Sequence, residues 1–260
     1  MSILEAILLG IVQGLCEFLP VSSSGHLVLL QSIFGIQEGT LFFDAMLHLG
    51  TLVAVCVYFR KTLWQMLRHP FSKYPMYIVI ATIPTVVVAL LFGDFIETAF
   101  SGSFLGVSFL ITALILFITV QIPKQKRDLK DMQWYDAGFI GLMQAFAIVP
   151  GISRSGSTIM GGTVRGFNHD LVAEFSFLMS VPAILGSCVL EVVKITKTGL
   201  GDISISGTLV GVLCAMIAGF FAINMMMRLI RKGKLAGFGI YCAVLGVLVL
   251  VDQHITHIFL

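Results

Sequence analysis

Two short polar stretches interrupt a sequence that is otherwise strongly apolar, and both carry residues that could do chemistry. The first, QGLCEFLPVSSSGH, contains a carboxylate, three consecutive serines and a histidine. The second, VPGISRSGST, sets one arginine among hydroxyl side chains and glycines. Glycines, hydroxyls, an arginine and a helix N-terminus are the groups that bind anions, and phosphate is their most natural ligand. The two stretches together predict a site that handles phosphate.

The first stretch supplies the components of an activated nucleophile. Gln13 and Glu17 lie four residues apart, so on a helix they share one face and should point into the same cavity. Ser23 follows Glu17 by six residues and precedes His26 by three. A serine becomes an effective nucleophile when an adjacent base takes its proton. We therefore expect Ser23 as the nucleophile with Glu17 or His26 as the base; a purely structural ion pair is the other interpretation of Glu17.

Arg154 is the central residue of the second stretch, and it needs a partner because a charge at membrane depth is costly. We expect that partner to be Glu17, a bound phosphate, or each in turn. The apolar run from Ile159 predicts that a helix begins there and directs its N-terminus at the ligand. Ser22 and Ser24 could equally be turn formers or helix caps. The predicted phosphate ligands are Ser22, Ser24, Ser153, Arg154, Ser155, Gly156 and Thr158.

The composition is that of an integral membrane protein. Of 260 residues, 57% are hydrophobic and only 12% are charged, about half the charged fraction of a soluble domain. Five cysteines are scattered singly, so neither metal ligation nor a disulfide framework is expected. The net charge of +2 comes from basic loops and does not indicate nucleic-acid binding.

The pattern of apolar segments predicts an all-α polytopic membrane protein. Two regions, 1–35 and 137–166, are apolar but interrupted by Pro, Gly and Ser clusters. Each reads as a re-entrant helical hairpin, because irregular backbone is tolerated at membrane depth only where protein or a watery cavity covers it. The predicted full spans are 41–59, 76–93, 104–122, 171–193, 207–227 and 236–252.

Lysine and arginine are concentrated in three predicted loops, 60–75, 123–136 and 228–235. Cytoplasmic loops carry an excess of these residues, so we expect the three loops in the cytoplasm and the C-terminus outside. The first hairpin then enters the bilayer from outside and the second from inside. The chain therefore divides into two inverted repeats, 1–122 and 137–252, each with one hairpin and three spans.

The two hairpin sequences also match each other when they are aligned without gaps at an offset of 131 residues. The matches coincide with the two polar tips. Inverted repeats with broken helices place a binding site near the midplane, where the halves meet. The identical pairs are Gly10/Gly141, Gln13/Gln144, Ser22/Ser153, Ser24/Ser155 and Gly25/Gly156.

QGLCEFLPVSSSGH and PGISRSGST resemble the two signature motifs of the undecaprenyl-diphosphatase family, the BacA-type bacitracin-resistance proteins. FDAMLHLGTLVAV (43–55) and EFSFLMSVPAILG (174–186) resemble the downstream blocks of that family. The resemblance covers essentially the whole chain. It implies a multi-pass enzyme of the bacterial plasma membrane that hydrolyses undecaprenyl diphosphate to undecaprenyl phosphate, recycles this carrier lipid for peptidoglycan synthesis and so confers bacitracin resistance.

The resemblance also implies roles for individual residues. Glu17 would be an essential carboxylate, Ser23 the nucleophile, His26 an essential assistant and Arg154 the phosphate clamp. A divalent cation, Mg2+ or Ca2+, is implied, with Glu17 as a ligand; the amide oxygen of Gln13 would be a weaker one. The expected partners are the polyprenyl diphosphate lipid, the bilayer and, in a homodimer, a second copy of the chain.

The alternative function is a transporter or flippase for an anionic polyprenyl lipid, because inverted repeats are also a transporter architecture. A serine beside a carboxylate and a histidine favours hydrolysis, since binding alone needs no nucleophile. Attack by water instead of Ser23, and the membrane face to which the site opens, are left open. Asp44 and His48 are interpreted as a local structural pair or as a second layer around the site, with the structural role favoured. Gln144 is also interpreted as structural.

Overall fold

The structure is a computed structural model, and it describes residues 1–36, 40–100, 102–123, 126–198 and 204–259. Within these ranges the chain is helical and contains no β-strand, which confirms the all-α class. The α-helices in chain order are α1 (Ile3–Phe18), α2 (Ser23–Ile33), α3 (Thr40–Tyr58), α4 (Arg60–Arg68), α5 (Lys73–Leu91), α6 (Gly93–Ala99), α7 (Leu105–Gln121), α8 (Trp134–Phe146), α9 (Arg154–Val164), α10 (His169–Thr198), α11 (Ile205–Arg231) and α12 (Ala236–Val251).

Six helices, α3, α5, α7, α10, α11 and α12, correspond to the six predicted spans. Among the described residues, α5, α10, α11 and α12 are long and apolar enough to cross a membrane. The pair α3 and α4 passes the same test together but bends by 80° at its junction. α7 is apolar but slightly shorter, at 17 residues. The protein is therefore a multi-pass membrane protein, as the composition predicted.

The predicted loop 60–75 contains a helix, which corrects the loop boundaries. α4 occupies Arg60–Arg68, and α5 already begins at Lys73. Trp64 and Leu67 are exposed on α4, and the Arg68 guanidinium lies 5.0 Å from the centroid of the Trp64 ring. An amphipathic helix with basic and apolar faces fits the membrane interface, which explains why this segment is both charged and helical.

The two interrupted regions form helical hairpins, as predicted. In the first, residues 19–22 separate α1 from α2, and Pro20 in this break cannot continue a helix. In the second, residues 147–153 separate α8 from α9. Gly151 in this break has a φ of 91°, which glycine adopts without steric cost. The polar tips of both hairpins are thus irregular backbone between short helices.

Each hairpin packs its first helix against a span of the other half. α1 packs along α11, and α8 packs along α5. Gly10 in α1 faces the backbone of Gly211, and Gly141 in α8 faces that of Ala81; a Cβ at either glycine would lie 2.3 Å from the facing carbonyl oxygen. Small residues let membrane helices approach this closely. Because Gly10 and Gly141 are a matched pair, the contacts support the repeat, whose inverted orientation stays a prediction.

Asp136 ties the segment before the second hairpin to the end of α9. Its side chain is fully buried, and Oδ2 accepts hydrogen bonds from the Arg127 guanidinium (2.9 Å) and the Gln133 backbone N–H (3.0 Å). Oδ1 accepts from Arg165 at 2.6 Å. Burial alone would raise the pKa of this carboxyl, but the hydrogen bonds from Gln133, Arg127 and Arg165 outweigh burial and hold the pKa below its ordinary value.

Gly141→Ala should destabilise the protein, whereas Gly138→Ala on the same helix should not. Alanine favours a helix over glycine by about 1 kcal/mol, and a Cβ at Gly138 would meet no atom within 4 Å. At Gly141 the Cβ would meet the backbone of Ala81, so overpacking should cost about 1–3 kcal/mol. Thermal unfolding in detergent measures the difference. Equal unfolding midpoints for the two variants would contradict the close approach of α8 to α5.

Asp136→Asn should lower the thermal midpoint near pH 7 by roughly 5 °C, because an amide cannot replace a carboxylate between two guanidinium groups. The folded-state pKa lies below its ordinary value, so the carboxylate stabilises the fold above the unfolded-state pKa of about 3.9. That contribution is lost as the pH falls through the folded-state pKa. The gap between wild type and variant should therefore close as the pH falls through the lowered folded-state pKa of Asp136. Asp94→Asn, at an exposed carboxylate, is the control; a gap that did not change with pH would contradict the assignment.

Candidate active site

The two hairpin tips meet inside the protein. The backbone N–H of Gly151 in the second tip donates a hydrogen bond of 3.1 Å to Ser22 Oγ in the first. Gly25 packs so closely on Gly151 that a Cβ at Gly25 would lie 2.7 Å from the Gly151 Cα. Ser155 Oγ donates to the Leu19 carbonyl at 3.2 Å. Both polar stretches therefore contribute to a single site.

Both tips start their second helix in the same way. Ser22 Oγ accepts from the Gly25 N–H at 3.3 Å, and Ser153 Oγ accepts from the Gly156 N–H at 3.1 Å. A serine at the N-cap satisfies one of the free N–H groups of a helix start. Ser22 and Ser153 are thus helix caps, one of the two interpretations of Ser22 given above, and both also line the cavity between the tips.

Glu17 is the centre of the polar network at this junction. Its side chain is buried, and Oε2 accepts hydrogen bonds from Ser23 Oγ at 2.7 Å and Gln13 Nε2 at 3.1 Å. Oε1 forms an ion pair with Arg154 Nη2 at 2.5 Å. His48 Nε2 lies 3.5 Å from Oε2. One carboxylate therefore contacts both the candidate nucleophile and the candidate phosphate clamp.

Arg154 is the first residue of α9, so the helix begins five residues before the predicted start at Ile159. The cap at Ser153 explains the difference, since it starts the helix within the polar sequence. Arg154 Nη1 donates to the Ser176 carbonyl on α10 at 3.0 Å. The guanidinium is thus held between Glu17 of the first hairpin and a span of the second half.

The site occupies one end of a cavity of about 700 Å³. The cavity is also lined by α5 and by the second half of α10, where most of the lining residues are apolar. Several of these wall residues, including Leu90 and Val189, are also exposed on the outer surface of the helices. The cavity lining therefore combines a polar group of residues with apolar residues on exposed stretches of α5 and α10. Its polar end is lined by Glu17, Ser22, Ser23, Ser24, His48, Ser153, Arg154 and Ser155.

Two predicted phosphate ligands, Gly156 and Thr158, do not line this cavity. Thr158 is fully buried behind Arg154, where its hydroxyl contacts Ser176 Oγ at 2.6 Å and the Arg154 carbonyl at 2.9 Å. Gly156 directs its N–H at the cap of its own helix. One turn into α9 the side chains no longer face the tip, so Thr158 supports Arg154 instead of reaching a ligand.

Gln13 and His26 also lie outside the cavity lining. Gln13 is fully buried and reaches Glu17, so it shares the predicted helix face but supports the carboxylate from behind. His26 directs Nδ1 at the Ser22 carbonyl (2.6 Å) and Nε2 at the Tyr241 hydroxyl (2.7 Å). Both ring nitrogens are therefore committed to groups other than Ser23, and the hydrogen bond of Ser23 goes to Glu17. Of the two candidate bases, the geometry favours Glu17.

The structure also brings His48 and Thr112 to the two tips, and Thr112 was not among the predicted residues. Ionisable groups four residues apart inside an apolar span, as in Asp44 and His48, are themselves a functional signal. Thr112 on α7 carries no such signal, because threonine is common in membrane helices. Its buried hydroxyl donates to the Gly151 carbonyl at 2.8 Å and accepts from the Ser153 N–H at 2.9 Å, so it fixes the second tip.

The arrangement contains the parts of a nucleophilic reaction on phosphorus. A hydroxyl 2.7 Å from a carboxylate is within reach for proton transfer. The adjacent guanidinium can bind a phosphate oxygen in place of, or together with, Glu17. The structure brings Glu17, Ser23 and Arg154 together, and their catalytic roles stay predictions.

The oxygen donors at the site suit a metal ion that arrives with its ligand. The described residues contain no group of three or more His, Cys, Asp or Glu side chains arranged to hold a metal ion. Glu17 lines the cavity, whereas the Oε1 of Gln13, which is buried and has no hydrogen-bond partner among the described residues, lies outside its lining. One cavity carboxylate fits the partial ligand set of Mg2+, which keeps several waters and usually takes further oxygens from phosphates.

Thr112→Val should destabilise the protein by about 1–3 kcal/mol, because the isosteric side chain leaves the Gly151 carbonyl and the Ser153 N–H buried without partners. Thr119→Val is the matched control on the same helix. The Thr119 hydroxyl donates only to the carbonyl of Ile115 one turn earlier, so its loss should cost less than about 0.5 kcal/mol. Thermal unfolding of both variants in detergent checks the difference, and equal losses would refute the role of Thr112.

Comparison with known proteins identifies the family of the chain. The family model described as bacitracin resistance protein BacA matches residues 6–248. The undecaprenyl-diphosphatase of Carboxydothermus hydrogenoformans is 45% identical over 256 residues, which cover 97% of this chain and 98% of that protein. The undecaprenyl-diphosphatase of Alkaliphilus metalliredigens is 41% identical over 271 residues (96% and 98%), and that of Halothermothrix orenii is 37% identical over 254 residues (96% and 98%). The chain belongs to the BacA family of bacitracin resistance proteins.

Proposed function

We propose that this protein hydrolyses undecaprenyl diphosphate to undecaprenyl phosphate and inorganic phosphate, and that it thereby recycles the carrier lipid and confers bacitracin resistance. The proposal is carried by the contacts of Glu17. One carboxylate oxygen accepts a hydrogen bond from the Ser23 hydroxyl, and the other forms an ion pair with Arg154. This group lies at the polar end of a cavity with an apolar wall. The relatives named undecaprenyl-diphosphatase support the same substrate.

The first chemical step is attack of Ser23 Oγ on the terminal phosphorus. The proton of the hydroxyl passes to Glu17 Oε2, 2.7 Å away. The bond from phosphorus to the bridging oxygen breaks, and undecaprenyl phosphate leaves with the electron pair. Its departure needs no protonation, because a phosphate monoester is a stable anion. Ser23 then carries the phosphoryl group.

The second step returns the enzyme to its starting state. Water attacks the phosphoserine phosphorus, and the bond between phosphorus and Ser23 Oγ breaks. Glu17 returns its proton to the departing oxygen, and the proton lost by water leaves with inorganic phosphate. A phosphoserine at Ser23 is the distinguishing intermediate, since direct attack by water would not form it.

Arg154 has two partners in this cycle. Before substrate binds, it neutralises Glu17 and is anchored on the Ser176 carbonyl. A terminal phosphate that binds the guanidinium weakens the pair with Glu17, so the carboxylate becomes a better base when substrate is present. The planar guanidinium also stabilises the charge of the phosphoryl group during transfer.

The cavity walls suit the two ends of a polyprenyl diphosphate. The diphosphate takes the end with Arg154 and the serines, and the tail runs along Val86 and Leu90 of α5 and Leu185 of α10. Another cavity, of about 830 Å³, is lined mainly by polar and charged side chains, among them Asp128, Glu174 and the Asp170–Arg231 ion pair. It has few apolar side chains for a polyprenyl tail, which favours the smaller cavity.

A divalent cation, Mg2+ or Ca2+, would bind with the substrate. Glu17 would hold it through a carboxylate oxygen, whereas the Gln13 amide lies behind Glu17, outside the cavity lining, and is the weaker candidate. Phosphate oxygens and water would supply the other ligands. When bound, such an ion neutralises charge on the diphosphate oxygens. Glu17 is supported as a ligand by its place in the cavity lining.

We further propose that the basic segments 60–75, 123–136 and 228–235 face the cytoplasm and that the C-terminus lies outside. Support comes from the basic amphipathic helix α4 and from Arg228 and Arg231 in the last turn of α11. Anionic lipids of the cytoplasmic leaflet attract such segments.

Phosphate release from undecaprenyl diphosphate by the purified protein tests the function. Arg154→Ala should lower kcat/KM at least about a hundredfold, or about 2.7 kcal/mol of transition-state stabilisation. Arg228→Ala, at an exposed arginine outside the site, should keep wild-type activity. A chelator should lower the rate, and added Mg2+ or Ca2+ should restore it. If folded wild type binds the lipid but releases no phosphate, the hydrolytic function is refuted and a lipid transporter or flippase is favoured instead.

Ser23→Ala separates the two modes of attack. If Ser23 is the nucleophile, this variant should lose at least about a thousandfold in kcat, and acid quenching of the wild type during turnover should trap phosphoserine. A variant that keeps substantial activity would assign the attack to water, with Glu17 as its base.

A further inference from the structure

The residue before the candidate nucleophile has an unusual backbone conformation. Ser22 has φ 69° and ψ 101°, and it is one of two non-glycine residues with positive φ among the described residues. An L-residue rarely adopts this region, so surrounding contacts must hold it there. The turn directs Ser23, the first residue of α2, at Glu17. Whatever holds Ser22 therefore decides where the nucleophile points.

The side chain of Ser22 is held by the two hairpin tips. Its Oγ accepts hydrogen bonds from the backbone N–H groups of Gly151 and Gly25, and it lies 3.3 Å from Ser24 Oγ. These contacts fix the hydroxyl but not the peptide plane after Ser22, whose carbonyl oxygen contacts both the backbone N–H of His26 (3.3 Å) and the ring of the same residue. That plane carries the Ser22 carbonyl and the N–H of Ser23, so its orientation matters most for the nucleophile.

His26 holds that peptide plane. Its Nδ1 lies 2.6 Å from the Ser22 carbonyl oxygen. A carbonyl only accepts hydrogen bonds, so Nδ1 carries the proton. In the neutral ring Nε2 is then an acceptor, and the Tyr241 hydroxyl, 2.7 Å away, donates to it. Buried at 7% exposure, the ring cannot shift toward Ser23 without giving up both bonds.

Tyr241 braces the imidazole from the last helix. Its ring stacks on His26 with centroids 5.6 Å apart and planes 8° apart. Phe109 of α7 contacts the imidazole edge-on from another side, at 5.2 Å. Stacking and the hydroxyl bond together fix both the tilt and the rotation of the ring. Tyr241 is 215 residues from His26 in sequence, so the brace spans both halves of the chain.

We propose that Tyr241 and His26 are positioning residues for the reaction: Tyr241 fixes the His26 ring, and His26 fixes the Ser22 turn that places Ser23 Oγ on Glu17. The inference rests on the proposed function, because it assigns the nucleophile to Ser23. His26 transfers no proton to or from the substrate. Instead, its Nδ1–H donates a hydrogen bond to the Ser22 carbonyl. Tyr241 acts through His26 and does not contact the substrate.

Two substitutions at His26 separate positioning from proton transfer. The Nδ2 of asparagine occupies nearly the position of imidazole Nδ1, so His26→Asn can still donate to the Ser22 carbonyl. The amide of glutamine resembles Nε2 instead and cannot make that bond in the same geometry. We expect His26→Asn to keep kcat within about tenfold of wild type and His26→Gln to lose about a hundredfold or more. The pH profile of kcat should keep its shape in His26→Asn.

Tyr241→Phe removes the hydroxyl and keeps the stacked ring. We expect kcat to fall about five- to tenfold with KM unchanged, because the substrate does not contact this residue. His69→Asn and Tyr135→Phe make the same chemical changes at exposed positions and should behave as wild type. Thermal midpoints of all variants show whether a loss of activity is a loss of fold.

The protonation of His26 provides a readout that does not depend on activity. In protein with 15N-labelled histidine, assigned by the signal that His26→Asn removes, Nδ1 should carry the proton and Nε2 should shift in Tyr241→Phe. A proton on Nε2 instead would overturn the proposal. Equal activity of His26→Asn and His26→Gln, or loss of a pH-dependent limb in His26→Asn, would overturn it as well. If wild type releases no phosphate but the His26 signals are as expected, the proposed function fails and the brace is only structural.

Discussion

A buried carboxylate–guanidinium pair connects the two halves of this protein. Glu17 and Arg154 come from different hairpins, 137 residues apart, and neither charge is stable alone at that depth. Each hairpin tip is irregular backbone that needs a polar covering, and each tip provides it for the other. The pair therefore fixes the hairpins against each other and at the same time holds the two groups that the chemistry needs.

The two tips share one construction and differ in what they carry. Ser22 and Ser153 cap equivalent helices with the same hydrogen bond, and Gly10 and Gly141 permit equivalent close approaches. The residue after the cap is Ser23 in one tip and Arg154 in the other. A repeated scaffold thus presents a nucleophile from one side and a cation from the other, and the substrate phosphate fits between them.

Local signals explain what could be predicted from the sequence. Proline, glycine and serine clusters in an apolar background indicate the hairpin breaks. Charged residues beside these breaks indicate the site, so the sequence predicts Glu17, Ser23 and Arg154 as its members. Contacts between distant helices explain the rest. Nothing in the sequence near His26 indicates that Tyr241 turns its ring away from Ser23, and Thr158 was expected to reach the ligand because the helix was expected to begin at Ile159 and not at Arg154.

The apolar wall between α5 and α10 has a consequence for how the protein meets its substrate. Leu90 and Val189 line the cavity and are also exposed, which fits a lipid that enters from the plane of the bilayer without crossing water. Encounter then depends on two-dimensional diffusion. The concentration that governs saturation is the mole fraction of the lipid in its leaflet, and diluting the membrane with other lipids lowers occupancy even when the total amount of substrate per volume is constant.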